Sequence, residues 1–186
     1  HSEMSSRQSW KLAEAFARSQ QVLRQEGPRA LWFKVWGELG YRRLILFEAH
    51  FAEARKPPEA LPKPELIWLS PDRVADLQRL RPEASDELIR RHLRVGRRCM
   101  IGFVAGEAVY SSWVASGTAW IEYLDLGLRL AGDSYYSYAT FVHPAWRRHG
   151  LALWMSWRRR VILSEEGLTR TVCAVMPENR LGERLI

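Results

Sequence analysis

The stretch from Phe141 to Met155, "FVHPAWRRHGLALWM", decides how the chain is read. Arg147, Arg148 and His149 crowd a bend between an apolar strand-like run and a helix-like run, and no acidic residue occurs from Ser134 to Leu163. The pattern predicts a strand running into Pro144, a turn, and a helix beginning near Gly150. The first N–H groups of a helix have no internal partners, and the macrodipole adds positive potential there. Such an end favours anions, phosphate above all. Glycine at 150 lets the backbone come close to a ligand, and Ala152 leaves room further in. Arg147 and Arg148 add forked donors suited to phosphate oxygens. The stretch is suited to a pyrophosphate.

Working outward, "RCMIGFVAGEAVYSSWVAS" reads as two strands joined at Gly106-Glu107, a hairpin. "TAWIEYL" and "YYSYATFV" are expected to continue the same sheet. After the basic bend, "LALWMSWRRRVILSEEG" reads as a helix ended by Gly167, "RTVCAVM" as a strand, and "PENRLGERLI" as the opening of another helix. Upstream, "LIWL" is a short strand; "SPDRVADLQRL" is a helix with Ser70 as its cap, and "SDELIRRHLRVG" a helix starting at Ser85. From residue 66 the chain therefore reads as a mixed α/β (α+β) domain around a mostly antiparallel sheet.

Residues 66–186 form this domain, expected to be incomplete at its C-terminus. "ARKPPEALPKPE" holds four prolines, and residues 57–65 read as a linker. Residues 1–56 form an N-terminal extension with helical patterns at Ser5–Glu26 and from Pro28 to Gly40, followed by β-like Leu44–Phe47. The first three residues, before Met4, read as a cloning remnant, so no secretory signal is read.

With 186 residues, 47% hydrophobic and 26% charged, the chain has enough apolar content for a core. It contains no run of roughly 18 apolar residues that would span a membrane. The two cysteines, Cys99 and Cys173, lie in apolar runs without metal-ligand spacing. They read as buried thiols of a cytoplasmic protein, and no metal is expected. A net charge of +7 and pI near 9.8 fit a phosphate-rich ligand, nucleic acid or an anionic surface. No recognised nucleic-acid module accompanies the charge, so nucleic acid is not an expected partner.

The spacing Val142-x-Pro144-x-x-Arg147-Arg148-x-Gly150-Leu151-Ala152 resembles the acyl-CoA signature of the GCN5-related N-acetyltransferases (GNAT superfamily): Arg or Gln, two residues, Gly, one residue, then Gly or Ala. The element order from Leu66 onward is similar to that fold, and the first sixty or so residues fall outside the resemblance. The resemblance implies acetyl-CoA as co-substrate and direct attack of an amine on its thioester. Backbone groups of Phe141 and Val142 would bond the pantetheine arm, and amides from Arg147 to Ala152, His149 and Leu151 included, would cradle the pyrophosphate. Asn179 matches a frequent coenzyme A contact, and N–H groups near Phe141 or Val142 would polarise the acyl carbonyl. Two features of the family have no match here: the tyrosine of its last helix that protonates the leaving thiolate, and an acidic residue near Ala139.

Glu122 and Tyr138 are the candidate catalytic residues. Glu122, like Asp125, is a carboxylate in an apolar strand region and a candidate base. Tyr136, Tyr138 and Thr140 are placed by the period-two rule on one strand face, where they would line an acceptor groove. His143 and His149 read as phosphate-side loop residues, and Arg158–Arg160 as a solvated helix end. The acceptor is a small-molecule or protein amine. A homodimer contact or a peripheral membrane contact through the N-terminal helices stays open. Two other functions also stay open: transfer of a longer acyl chain or from an acidic acyl carrier protein, and a non-catalytic coenzyme A- or partner-binding module.

Overall fold

The computed structural model describes residues 44–58 and 63–175. Apart from Leu44 these fall within one compact unit running from Ile45 to Val175. The N-terminal helical patterns, Asn179 and the closing helix lie outside the described residues.

Eight strands and three α-helices follow in order: β1 Ile45–His50, β2 Glu65–Trp68, α1 Val74–Leu80, α2 Asp86–Arg94, β3 Arg98–Val104, β4 Glu107–Ser116, β5 Thr118–Ile121, β6 Leu126–Arg129, β7 Ser134–Val142, α3 Leu151–Glu165 and β8 Arg170–Val175. Six strands form one sheet in the order β1-β8-β7-β4-β3-β2, and β5 and β6 form a separate ribbon. Only β7 and β8 run parallel, which requires a crossover, and α3 supplies it. The mixed α+β architecture with a mostly antiparallel sheet flanked by helices is the one the element order implied.

Local signals explain most element ends. Ala105 (φ 50) and Gly106 (φ 82) both take the left-handed conformation, the turn whose twist matches a tight hairpin between β3 and β4. Ser85 caps α2, its Oγ accepting from the Leu88 N–H at 3.2 Å. Ser70 precedes a 3-10 turn, Pro71–Arg73, that leads into α1 and makes no side-chain cap bond. Past the end of α3, Gly167 (φ 87) lets the Leu168 N–H reach back to the Leu163 carbonyl at 2.9 Å.

The sheet separates two cores. On one face α1 and α2 pack Leu77 and Ile89 against Ile101 and Trp113. On the other, Leu151, Trp154 and Met155 of α3 pack against Tyr110, while Leu163 meets Val114 and Tyr135. The alternation in β4 makes the assignment: Trp113 belongs to the first core and Val114 to the second. Each fully buried side chain of this kind contributes about 1.5–3 kcal/mol. A Cβ at Gly102 would run into the Met155 side chain, so this glycine lets β3 and α3 approach closely. Cys99 is fully buried, and desolvation pushes its thiol up to about 12; Cys173 is only half-buried.

Two expectations are corrected. "TAWIEYL" does not continue the main sheet. Gly117 (φ 71) turns the chain out of β4, its carbonyl accepts from the Leu130 N–H at 2.9 Å, and β5 pairs with the unanticipated β6 across that closed base. The Arg158–Arg160 run is not a solvated helix end either. It lies inside α3, where Arg159 shares a helix face with Met155 and Leu163, four residues to either side. Arg159 and Arg160 are 3% and 9% exposed, and only Arg158 faces solvent.

Candidate active site

From Ser134 to Ser137, β7 pairs with β8 on one side, and from Ser137 to Tyr135 it pairs with β4 on the other. Beyond Ser137 the β7–β8 ladder stops. Ala174 and Val175 of β8 continue to pair with Leu46 and Ile45 of β1, while β7 continues along β4 to Val142. The sheet therefore opens between β7 and β8.

At the opening β7 carries a bulge. Tyr138 lies opposite Trp113 and Phe141 opposite Ser111, so Ala139 and Thr140 together face Ser112. Ala139 takes φ 48, a conformation in which alanine is uncommon. The Arg81 guanidinium, at the end of α1, reaches the Ala139 carbonyl at 3.4 Å and stacks on Phe141. The extra residue reverses the face of everything after it. Tyr136 and Tyr138 lie on the α1–α2 face, with Tyr138 against the first core. The Thr140 hydroxyl lies 2.8 Å from Ser112 Oγ, on the α3 face. The expectation that Thr140 joins Tyr136 and Tyr138 on one face thus fails, because the period of two does not survive a bulge.

The basic bend follows immediately. Pro144–Trp146 form a 3-10 turn capped by His143, whose Nδ1 accepts from the Ala145 N–H at 3.4 Å. Arg148 (φ 68) and Gly150 (φ 72) are both left-handed, and Gly150 caps α3 with no side chain bonded to its first N–H groups. Alternating left-handed residues turn successive N–H groups toward a common side, the kind of concavity that holds anions. A Cβ on Gly150 would meet nothing, so its φ, not crowding, calls for glycine. Phe141, Val142, Arg147, Arg148, His149, Gly150, Leu151 and Ala152 therefore lie together at a strand end, a turn and a helix start. Their contributions differ. Leu151 is buried in the second core, leaving only its backbone. The Arg147 guanidinium turns back, donating from Nε to the Val142 carbonyl at 3.1 Å and stacking on Phe141. Arg148 and His149 are exposed.

A second group gathers on the α1–α2 face. Tyr136 and Tyr138 stack at 5.5 Å, Trp113 stacks on Tyr138, and His92 of α2 meets Trp113 edge-on at 5.0 Å. Arg97 Nη1 donates to His92 Nε2 at 3.2 Å and to the Tyr138 hydroxyl at 3.4 Å. Arginine only donates, so the imidazole is unprotonated at Nε2. Burial, then the Arg97 charge, holds the His92 pKa below its ordinary value against an opposing pull from Glu122. Burial pushes the Tyr138 hydroxyl up to about 12, with Arg97 opposing. Glu122 lies exposed in the turn after β5, outside the main sheet, and its charge is felt by His92, Tyr136 and Tyr138. His92, Arg97 and Trp113 escaped the sequence reading. They come from α2, the loop before β3, and β4, which are distant in sequence, so no local pattern joins them. Among the described residues no group of His, Cys, Asp or Glu is placed to hold a metal ion, and no helix is long and apolar enough to cross a membrane.

No protein family matches the chain by sequence, and no curated protein does. Solved structures with the same fold do. The aminoglycoside 6'-N-acetyltransferase AAC(6')-Ih of Acinetobacter baumannii is 14% identical, with a TM-score of 0.50 over 66% of this chain and 86% of that one. A GCN5-related N-acetyltransferase from Kribbella flavida is 13% identical, with a TM-score of 0.52 over 77% of this chain and 53% of that one. A GCN5-related glucosamine N-acetyltransferase region of a fungal multi-domain β-N-acetylglucosaminidase is 13% identical, with a TM-score of 0.53 over 75% of this chain and 19% of that one. A sheet that opens beside a bulged strand, with an uncapped helix start at its mouth, is thus set in the fold of the GCN5-related N-acetyltransferases.

Proposed function

We propose that the chain is an N-acyltransferase that moves an acyl group, most simply acetyl, from acyl-CoA to an amine. The observation that carries this reading is the opening between β7 and β8 with the bulge at Ala139 and the uncapped start of α3 beside it. The residues present fit the co-substrate. Backbone N–H groups between Arg147 and Ala152 would meet the pyrophosphate, and the space beside Gly150 is open. The β7 edge at Phe141 and Val142, which pairs with no strand on the β8 side among the described residues, would bond the pantetheine arm. In this reading Arg147 acts mainly by fixing the strand end, and Arg148 and His149 supply charge at the rim.

Acyl-CoA supplies the activated thioester. The acceptor nitrogen forms a C–N bond as the C–S bond breaks, and one proton passes from amine to thiol. Glu122, exposed in the turn after β5, with its charge felt at Tyr136 and Tyr138, is the proposed proton acceptor. Tyr138, whose hydroxyl stays protonated at neutral pH, is the proposed donor. An amine acceptor is supported by the names of two chains with this fold, which acetylate an aminoglycoside and glucosamine.

The test is calorimetric titration with acetyl-CoA of the natural sequence and of Gly150→Glu. Binding is expected for the first and a loss of at least about 100-fold for the second. Equal binding by both moves the coenzyme away from the α3 start, and no heat with either removes the acyl-CoA reading.

A further inference from the structure

Arg159 has no role in that scheme, yet its position is unusual. It lies in the middle of α3, 3% exposed, under β4 and β7. Its Nη1 donates to the Tyr110 hydroxyl at 3.0 Å and to Ser112 Oγ, and its Nη2 to Ser156 Oγ at 3.4 Å. Among the described residues its hydrogen-bond partners are all hydroxyls, and its buried Nε has none. A buried cation held only by hydroxyls stabilises a fold less than an apolar side chain of similar volume. Between Met155 and Leu163 a methionine would do that work.

Ser112 gives Arg159 a purpose. It is the one residue of β4 that faces both residues of the bulge. Its oxygen accepts from Arg159, so its own proton is free to be donated toward Thr140 Oγ1 at 2.8 Å, with Ser137 Oγ more distant at 3.4 Å. A guanidinium cannot accept, so the Arg159–Ser112 bond runs one way, while the Ser112–Thr140 bond closes the link to the bulge with either hydroxyl as donor. Thr140 is exposed at the opening and follows the left-handed Ala139, where the strand has left its ladder on the β8 side. A bulge held by backbone pairing alone has room to shift; this one is tied through two side chains to the centre of a helix.

We propose that Arg159 is a positioning residue, which through Ser112 and Thr140 holds the β7 bulge in the shape that polarises the acyl carbonyl. This rests on the acyl-transfer reading. The guanidinium touches no substrate; it fixes a hydroxyl that fixes the backbone. Preorganised backbone donors of this kind act only if they do not have to rearrange during the reaction.

The experiment is isotope-edited infrared spectroscopy of acetyl-CoA labelled at its thioester carbonyl, bound to the natural sequence and to Arg159→Met, Ser112→Ala, Thr140→Val and Arg159→Lys. The natural sequence is expected to move the carbonyl band to lower frequency than in free acetyl-CoA. Arg159→Met, Ser112→Ala and Thr140→Val are expected to lose most of that displacement while binding acetyl-CoA within about threefold of the natural sequence, and Arg159→Lys to keep part of it. A purely structural arginine would change thermal stability and leave the band where it was, which overturns the proposal. Thr140→Val sits on an exposed residue and decides the matter if Arg159→Met does not fold. Absence of acetyl-CoA binding by the natural sequence defeats the acyl-transfer reading itself, whereas binding with an undisplaced band defeats only the role given to the bulge.

Discussion

The N-terminal half of β7 and its C-terminal half belong to one strand and live in different surroundings. From Tyr135 to Ser137 the strand is laddered on both sides, and Tyr135 is 1% exposed, its hydroxyl bonded to Thr171. From Tyr138 to Val142 its one strand neighbour among the described residues is β4, and it carries a left-handed alanine and exposes Ala139 and Thr140. The first half spends its hydrogen-bonding groups on the fold. The second withholds some of them from the β8 ladder, and an unpaired strand edge presents a row of donors and acceptors open to an extended partner. Stability and binding should therefore separate along this one strand.

The sharpest way to break the comparison is in the closed half. Tyr135→Ala is expected to cost about 4 kcal/mol in denaturant unfolding, as removal of a buried ring does, while the remaining folded protein binds acetyl-CoA normally. A large loss of affinity at unchanged stability would erase the distinction between the halves. Next comes the open half. Tyr138→Phe is expected to lower turnover by roughly 100-fold with a small change in stability. The Tyr138 hydroxyl is held up to about 12, so it stays protonated through the neutral range, and in the acyl-transfer reading the natural sequence's pH–rate profile shows no break from it there. A profile measured on both forms checks this, and a neutral break that vanishes in the variant would contradict it.

The smallest effect belongs to the far end of α3, where Arg98 of β3 forms an ion pair with Glu166. The hydrogen bond from Arg98, then burial in opposition and the Arg98 charge, leave the Glu166 carboxyl below its ordinary 4.5. A depressed carboxyl stabilises the fold above its unfolded pKa, and that gain is lost as pH falls through the folded one. Both side chains are more than a third exposed, so screening keeps the contribution under about 1 kcal/mol. Glu166→Gln is expected to lower stability by that small amount at neutral pH, with the difference from the natural sequence vanishing in acid and coenzyme binding untouched. Thermal melts across pH test it.

The features legible in the sequence were those written in neighbouring residues. Gly106, Ser85 and Gly167 each set a local backbone geometry, and each appears where the pattern placed it. The basic bend was legible for the same reason: strand, turn and helix start are consecutive in the chain. The features that escaped are set by partners distant in sequence. Ala139 carries no sign of a bulge, since a left-handed alanine is held by its neighbours in β4 and by Arg81 rather than by its own preference. Period-two counting consequently put Thr140 on the wrong face. Three consecutive arginines suggest a wet surface, and only the helix phase against β4 shows that Arg159 points inward. "LGLR" is too short and too polar to announce a strand, so the ribbon holding Glu122 was read as part of the main sheet.

One pairing has a consequence for how the chain is made. β1 closes the outer edge of β8, with Ile45 opposite Val175 and His50 opposite Arg170. On the ribosome, where synthesis runs at roughly 5–20 residues per second, β1 emerges well before β8, the strand it pairs with among the described residues. Until then β1, Phe47 included, lacks that ladder, and the prolines that follow it in the sequence have no N–H to donate to one. Prolines between β1 and β2 disfavour a hairpin of these two strands, which the fold sets at opposite edges of the sheet.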